Sequence, residues 1–243
     1  MPPAPTAKAA IAAIDAHGAL LVYPIENRPE PLSLWKVFHP RARMRWDWDE
    51  SGDWRVVDLW ALRERIARSR KVVYTKWYRG RATFFSRALF AAMLSRYRAT
   101  GAIRAGLEAD ALEILGALES DSPRSTKSLR AAVGLSGRMF EASWQRSLKQ
   151  LFARMLIVGF GEVDDGAFPS LAVGATRALF EDLWDEAGAI DPAIAEGRIA
   201  SALPVGSRFR RHHEEVLRAL ARVPRDPALP SAPREPSVDR LER

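Results

Sequence analysis

Cysteine is absent from the chain of 243 residues, which excludes a disulfide framework and any thiolate metal site. Histidine is scarce, with His17, His39, His212 and His213 the full set. They show no ligand spacing, and two adjacent histidines on a helix point about 100° apart, so neither a metal nor another cofactor is expected. Long apolar runs are missing as well. Nothing approaches the roughly 18 residues of a membrane span, and the N-terminus lacks the basic-then-apolar pattern of a secretory signal. The expectation is a cytoplasmic protein without membrane contact. Carboxylates are almost missing from one stretch: between Trp60 and Ala105, twelve Lys/Arg accompany the single acid Glu64.

What is present is positive charge, unevenly placed. The formal net charge is +7. Residues 1–105 carry 19 Lys/Arg against 9 Asp/Glu, whereas residues 106–243 carry 18 against 21. A field of that strength over one half argues for a polyanionic partner, though not for a fold. Its centre is the stretch Arg68–Arg87, RSRKVVYTKWYRGRATFFSR. The run Val72–Tyr78 is rich in β-branched and aromatic residues and breaks at Arg79-Gly80-Arg81. A second run, Ala82–Phe85, leads back, which predicts a β-hairpin with a cationic tip. Arginine forks match phosphates and flat rings stack on bases. Arg70, Lys71, Lys76, Arg79 and Arg81 are therefore candidate phosphate contacts, and Trp77 and Tyr78 candidate stacking rings. The same pattern also describes a solvated hairpin whose aromatics are core.

Around this hairpin the periodicity predicts mainly α structure with short β-hairpins. A helix over Ala7–Ala16 stops at Gly18, ALLVY (19–23) follows, and prolines 24, 29 and 31 force a loop. Trp54–Arg68 is an amphipathic helix with Val56, Leu59, Trp60, Leu62 and Ile66 near one face. Ser86–Ala99 is another. The second half repeats the order: helix Ala109–Glu119 with Leu112, Leu115 and Leu118 inward, a shorter helix Thr126–Val133, a long helix Arg138–Met155, and a hairpin over Ile157–Val163 and Phe168–Val173 with an Asp-Gly turn. Three helices closed by a hairpin is the winged helix-turn-helix order, so two tandem units are expected, at 1–105 and 106–175. Helices are expected over Thr176–Glu186 and Ala193–Leu203, and Phe209–Arg222 reads as a basic helix with a solvated face on which Glu214 and Glu215 supply opposite charge, so helices occupy 176–223. Beyond residue 224, recurrent prolines among charges predict a disordered tail.

In such a unit the third helix can enter a major groove, which makes Arg138, Gln145 and Lys149 candidate DNA contacts, with glutamine suited to adenine and arginine to guanine. The second hairpin carries Glu162, Asp164 and Asp165, which would repel phosphate. Upstream, RARMRWDWDESGDW (41–54) gathers Asp47 and Asp49 beside tryptophans. These two are weak candidates for a general base, and they equally suit helix capping and pairing with the neighbouring arginines.

The run GALLVYPI (18–25), the segment YTKWYRGRATFF (74–85) and the repeated helix–hairpin order together make the chain resemble the AlkZ/YcaQ-type winged-helix DNA glycosylases. The resemblance implies tandem winged-helix units and binding to double-stranded DNA, including damaged duplexes. It implies no catalytic residue. The family works through a Gln-x-Gln or Gln-x-Asp pair, here the stretch reads Val-Tyr-Pro-Ile, and the chain's glutamines are Gln145 and Gln150 alone. The leading expectation is a DNA-binding relative without proven excision activity. The alternatives are a divergent glycosylase using Asp47 or Asp49 on a flipped base, and a winged-helix transcriptional regulator reading bases through Gln145 and Lys149.

Overall fold

The computed structural model describes residues 5–46, 53–165 and 169–224. Asp47, Asp49 and the proline-rich tail lie outside the described residues. The first helix, α1 (Ala7–His17), is capped by the Thr6 hydroxyl. It ends at Gly18, whose φ of 72° suits glycine and where a side chain would also meet Ala202 Cβ at 2.6 Å. The ALLVY segment is a strand, β1 (Ala19–Leu21). Ser33 caps the short α2 (Leu34–Phe38) and Asp53 caps α3 (Trp54–Arg68). The hairpin forms as β2 (Val73–Tyr78) and β3 (Arg81–Phe85). Its turn residues Arg79 and Gly80 have φ of 51° and 75°, the doubly positive geometry that matches strand twist. Ser86 caps α4 (Arg87–Ala99).

The second half runs α5 (Ala109–Ser120), β4 (Arg124–Ser125), α6 (Thr126–Ala132), a 3₁₀ turn at Arg138–Phe140, α7 (Glu141–Ala153), β5 (Ile157–Val163) and β6 (Ser170–Ala175). The helices α8 (Thr176–Leu179), α9 (Glu181–Ala189), α10 (Pro192–Ala202) and α11 (Arg208–Ala221) follow. No helix among the described residues is long and apolar enough to cross a membrane.

Three local expectations are corrected. On α5 the buried stripe is Ala111, Ile114, Leu115 and Leu118, and Leu112 is exposed. On α3, Trp60 is exposed while Arg63 is buried. The helix expected over 176–186 breaks at Phe180, which adopts an extended φ of −134° and buries its ring.

All strands join one antiparallel sheet in the order β1-β3-β2-β5-β6-β4. In each half a short strand preceding the middle helix pairs with the returning hairpin strand, so the two halves contribute three strands each in mirrored order. They meet where the outgoing strands β2 and β5 pair at Tyr74 and Gly159. Strand alternation then divides the core. Leu20, Tyr74 and Phe84 face α1, α2 and α3 with Ile14, Trp35 and Leu62. Leu21, Val73, Trp77 and Phe85 face a larger cluster that also holds Leu94, Leu115, Leu151 and Val173. That larger cluster is continuous across residue 105.

The seam has a steric and an electrostatic component. The Tyr74 ring lies over Gly159 so closely that a Cβ there would meet Cδ1 at 2.3 Å. Beside it, Arg63 reaches from α3 to β5. Its guanidinium donates to the Tyr74 hydroxyl at 3.3 Å and to Glu162 Oε1, and it stacks 3.9 Å from the Trp60 ring centroid. The register of β5 against β6 shifts between Gly159 and Glu162, a bulge that re-aims side chains. Gly161, at φ 90°, passes so close to Glu64 that a side chain would meet Oε1 at 2.7 Å.

Two substitutions probe this seam. Gly159→Ala is expected to lower stability by about 1–3 kcal/mol through overpacking against Tyr74, read as a loss in thermal or urea unfolding midpoint. Arg63→Met leaves Glu162 buried without its partner and should cost about 3–5 kcal/mol, whereas Arg63→Met/Glu162→Met should cost far less. Equal costs for the single and double variants in urea titrations would contradict the pairing.

Candidate nucleic-acid interface

The first hairpin exposes the cations at its tip and base, while Lys76 between them is half-buried. Arg79, Gly80 and Arg81 at the tip are exposed, with the Arg79 guanidinium 5.7 Å from the Tyr78 ring centroid. Lys71 and Arg70 are exposed at its base, where Arg70 lies 5.3 Å from the Phe160 ring centroid.

Its aromatics are placed differently. Trp77 and Tyr78 are only 1% and 2% exposed, so neither ring is available to stack on a base. The physical reason is α11, expected as a solvated basic helix, which instead lies across them. Phe209 meets Tyr78 edge-on at 5.1 Å between centroids, and His212 Nε2 lies 3.1 Å from the Trp77 carbonyl oxygen. Trp77 Nε1 donates to Tyr97 Oη at 3.2 Å, and His213 Nδ1 is 3.1 Å from the same hydroxyl. The indole can only donate, so the tyrosine O–H is free to donate to His213 Nδ1, which calls for the neutral imidazole. The Arg210 guanidinium on α11 is held by Glu214 and Glu196.

Burial lowers the pKa of His213 to about 4, and the nearby Arg210 charge acts in the same direction. The unfolded chain binds a proton at about 6.5 that the folded chain refuses. Stability contributed here is thus fully present above the unfolded value and lost as pH falls from about 6.5 toward 4. Chemical unfolding at pH 7.5, 6 and 4.5 should show that decline. His213→Phe should flatten it, and an unchanged pH profile in the variant would contradict the assignment.

The second half brings α7 alongside the hairpin. A cleft of about 320 Å³ opens between them, lined by Lys76 and Gly80 from the hairpin, Trp144, Gln145 and Lys149 from α7, and Thr126 from α6. Three residues singled out in the sequence, Lys76, Gln145 and Lys149, are thereby gathered at one place from both halves. A second hollow of about 310 Å³ shares Thr126 and Trp144 and adds Lys127, Arg130 and Gly137, so the two form one groove. Gln145 is exposed and its amide donates to Glu141 at 2.9 Å. Arg138 is exposed in the 3₁₀ turn that precedes α7. Lys127, Arg130 and Trp144 were not singled out. Trp144 reads as core from its spacing, and Lys127 and Arg130 look like ordinary charges on a short helix. Arg130 is structural, donating to the Leu135 and Gly137 carbonyls and to Glu141.

The acids of the second hairpin are partly consumed internally. Glu162 is turned toward Arg63, and its carbonyl also accepts from Arg68. Asp165 accepts from the Ser170 hydroxyl at 2.6 Å, its carbonyl accepts from Lys127, and its carboxyl is held below the ordinary range by hydrogen bonds from Ser125 and Ser170. At the start of the first sheet, Val22 is fully buried, and the Tyr23 hydroxyl donates to the Val56 carbonyl at 2.9 Å.

No curated protein and no solved structure matches the chain. A family model described as AlkZ related matches residues 4–208, a span that takes in the hairpin, α7, the seam and most of the C-terminal helices. The chain belongs to the AlkZ-related family.

Proposed function

We propose that the protein binds double-stranded DNA through the groove between its first hairpin and α7, without excising bases. The observation that carries this reading is the cleft itself, where unpaired cations from two separate segments converge. Lys76 and Lys149 line it, Arg79 and Arg81 flank the lining residue Gly80, and none of the four has an ion-pair partner among the described residues. Membership of a family related to DNA glycosylases supports a DNA partner. Each half follows the winged-helix order, and we read residues 5–105 and 106–175 as two such units sharing one sheet, with α7 as the helix nearest the groove. Lys71, Arg70 and Arg138 extend the contact surface.

The reading of a binder rather than an excision enzyme rests on residue types. Val22 to Ile25 occupy the run in which the resembling glycosylases keep their amide pair, and Val22 is buried without a polar group. The chain's glutamines stand on α7 and not in the run that follows β1. Damaged duplexes are the favoured partner, because a groove with an apolar floor accommodates an unstacked nucleotide better than a regular stack.

The test is fluorescence anisotropy on intact and alkylated duplexes across a salt series. With about five phosphates neutralised, log affinity should fall against log salt with a slope of about −4 to −5. Arg79→Ala/Arg81→Ala should weaken binding and reduce the slope by about 2. A slope near zero would overturn the proposal. Release of free base from alkylated DNA above background would overturn its non-catalytic part.

A further inference from the structure

The groove contains one group that phosphate binding does not require. The cations that suit phosphates, Arg79, Arg81, Lys71 and Lys149, are exposed. Lys76 is different. It lies inside β2 where pairing with β3 shifts between Thr75 and Tyr78, it is half-buried, and it lines the cleft beside Trp144 and Phe152. No carboxylate pairs with it among the described residues. Glu162, the acid whose charge reaches it, is engaged by Arg63. The charged groups around Lys76 are therefore Arg63 from α3, Glu162 from β5 and Lys149 from α7. Desolvation, then the Arg63 charge, lowers the pKa of Lys76, with Glu162 opposing. A lysine in that setting is a nucleophile more readily than one in water.

Damaged DNA offers such an amine an aldehyde in the ring-opened deoxyribose left where a base has been lost. The cleft has the two features that this sugar needs. Its apolar floor, with Trp144 and Phe152, offers an unstacked abasic sugar a surface away from water, and the cations of the neighbouring hairpin tip can meet the flanking phosphates. We propose that Lys76 is a Schiff-base nucleophile for the abasic deoxyribose of duplex DNA. The neutral Nζ adds to C1′ and forms the N–C bond. Both amine protons leave with the former aldehyde oxygen as one water, the C1′–O bond breaks, and the imine remains. The ammonium proton has gone to solvent beforehand, and no oxidant or reductant is consumed. The inference rests on the DNA-binding reading above, to which it adds the substrate class.

The experiment incubates the full chain with a duplex bearing a single natural abasic site and traps the imine with borohydride. A duplex carrying the tetrahydrofuran analogue, which has no aldehyde, runs beside it, and binding to both is followed by anisotropy. The expected result is a covalent complex with the natural site only, with its yield per bound duplex falling about tenfold or more in Lys76→Met. Peptide mapping of the wild-type adduct should place the deoxyribose remnant on Lys76, which decides the case even if the variant folds poorly. Binding without trapping would overturn the Schiff-base role and leave the DNA reading standing. An adduct mapped to another lysine would overturn the assignment to Lys76. Absence of binding to either duplex at low salt would overturn both readings.

Discussion

The arrangement depends on a single close approach, the Tyr74 ring laid over Gly159 where two hairpins meet edge to edge. A hairpin edge left alone exposes a row of unpaired amides and carbonyls, and each half of this chain would have such an edge. Joining β2 to β5 removes both edges and makes one sheet of two halves. The approach is possible only because residue 159 has no side chain. It also brings Arg63 under the sheet, where its charge must be compensated, and the β5 bulge turns Glu162 inward to do so. The groove is a by-product of the same geometry, since β2 carries Lys76 and the β5 side carries α7. Loosening the seam would separate the two walls of the groove.

That seam also explains the acidic second hairpin. Read as a free wing, Glu162, Asp164 and Asp165 argue against a polyanion. In the folded chain Glu162 neutralises an interior arginine, and Asp165 is tied to Ser170. A carboxylate paired with an internal guanidinium, as Glu162 is, repels phosphate far less than a solvated one, whereas the hydroxyls on Asp165 fix its position and leave its charge. The charge that matters for association is the uncompensated part, and it gathers on the hairpin tip and along α7.

Where local chemistry decides, residues and structure agree. Ser33, Asp53, Ser86 and Ser125 each cap a helix, and Arg79-Gly80 turns the hairpin as a glycine-centred break should. Each hairpin gains a third strand, β1 or β4, and the two-residue β4 carries no signal of its own in the sequence. What could not be read depends on distant partners. A tryptophan and a tyrosine beside cations give the same pattern whether the rings meet a base or a helix 135 residues away. Arg63 is one arginine among several on α3, and only the neighbouring Glu162, 99 residues on, marks it as buried. Leu112 and Trp60 sit at apolar spacing yet face solvent, because a helix's buried stripe is set by what packs on it. The joining of the hairpins rests on one residue pair, and no periodicity announces it.

The clamp on the hairpin bears on how a groove of this kind can discriminate. With Trp77 and Tyr78 held by α11, and Tyr97 linked to both Trp77 and His213, the tip is presented in one conformation. Less ordering entropy is then lost on binding. Contacts from Arg79 and Arg81 fix position on a duplex without reading its sequence. Gln145, the residue best suited to read a base edge, is already donating to Glu141, which Arg130 holds in turn. Base readout would have to break that bond. On the proposed DNA reading, sequence preference is therefore expected to be weak, and selectivity would have to come from what fits between Lys76 and Trp144, where a deformed or unstacked nucleotide is expected to be favoured over a regular stack.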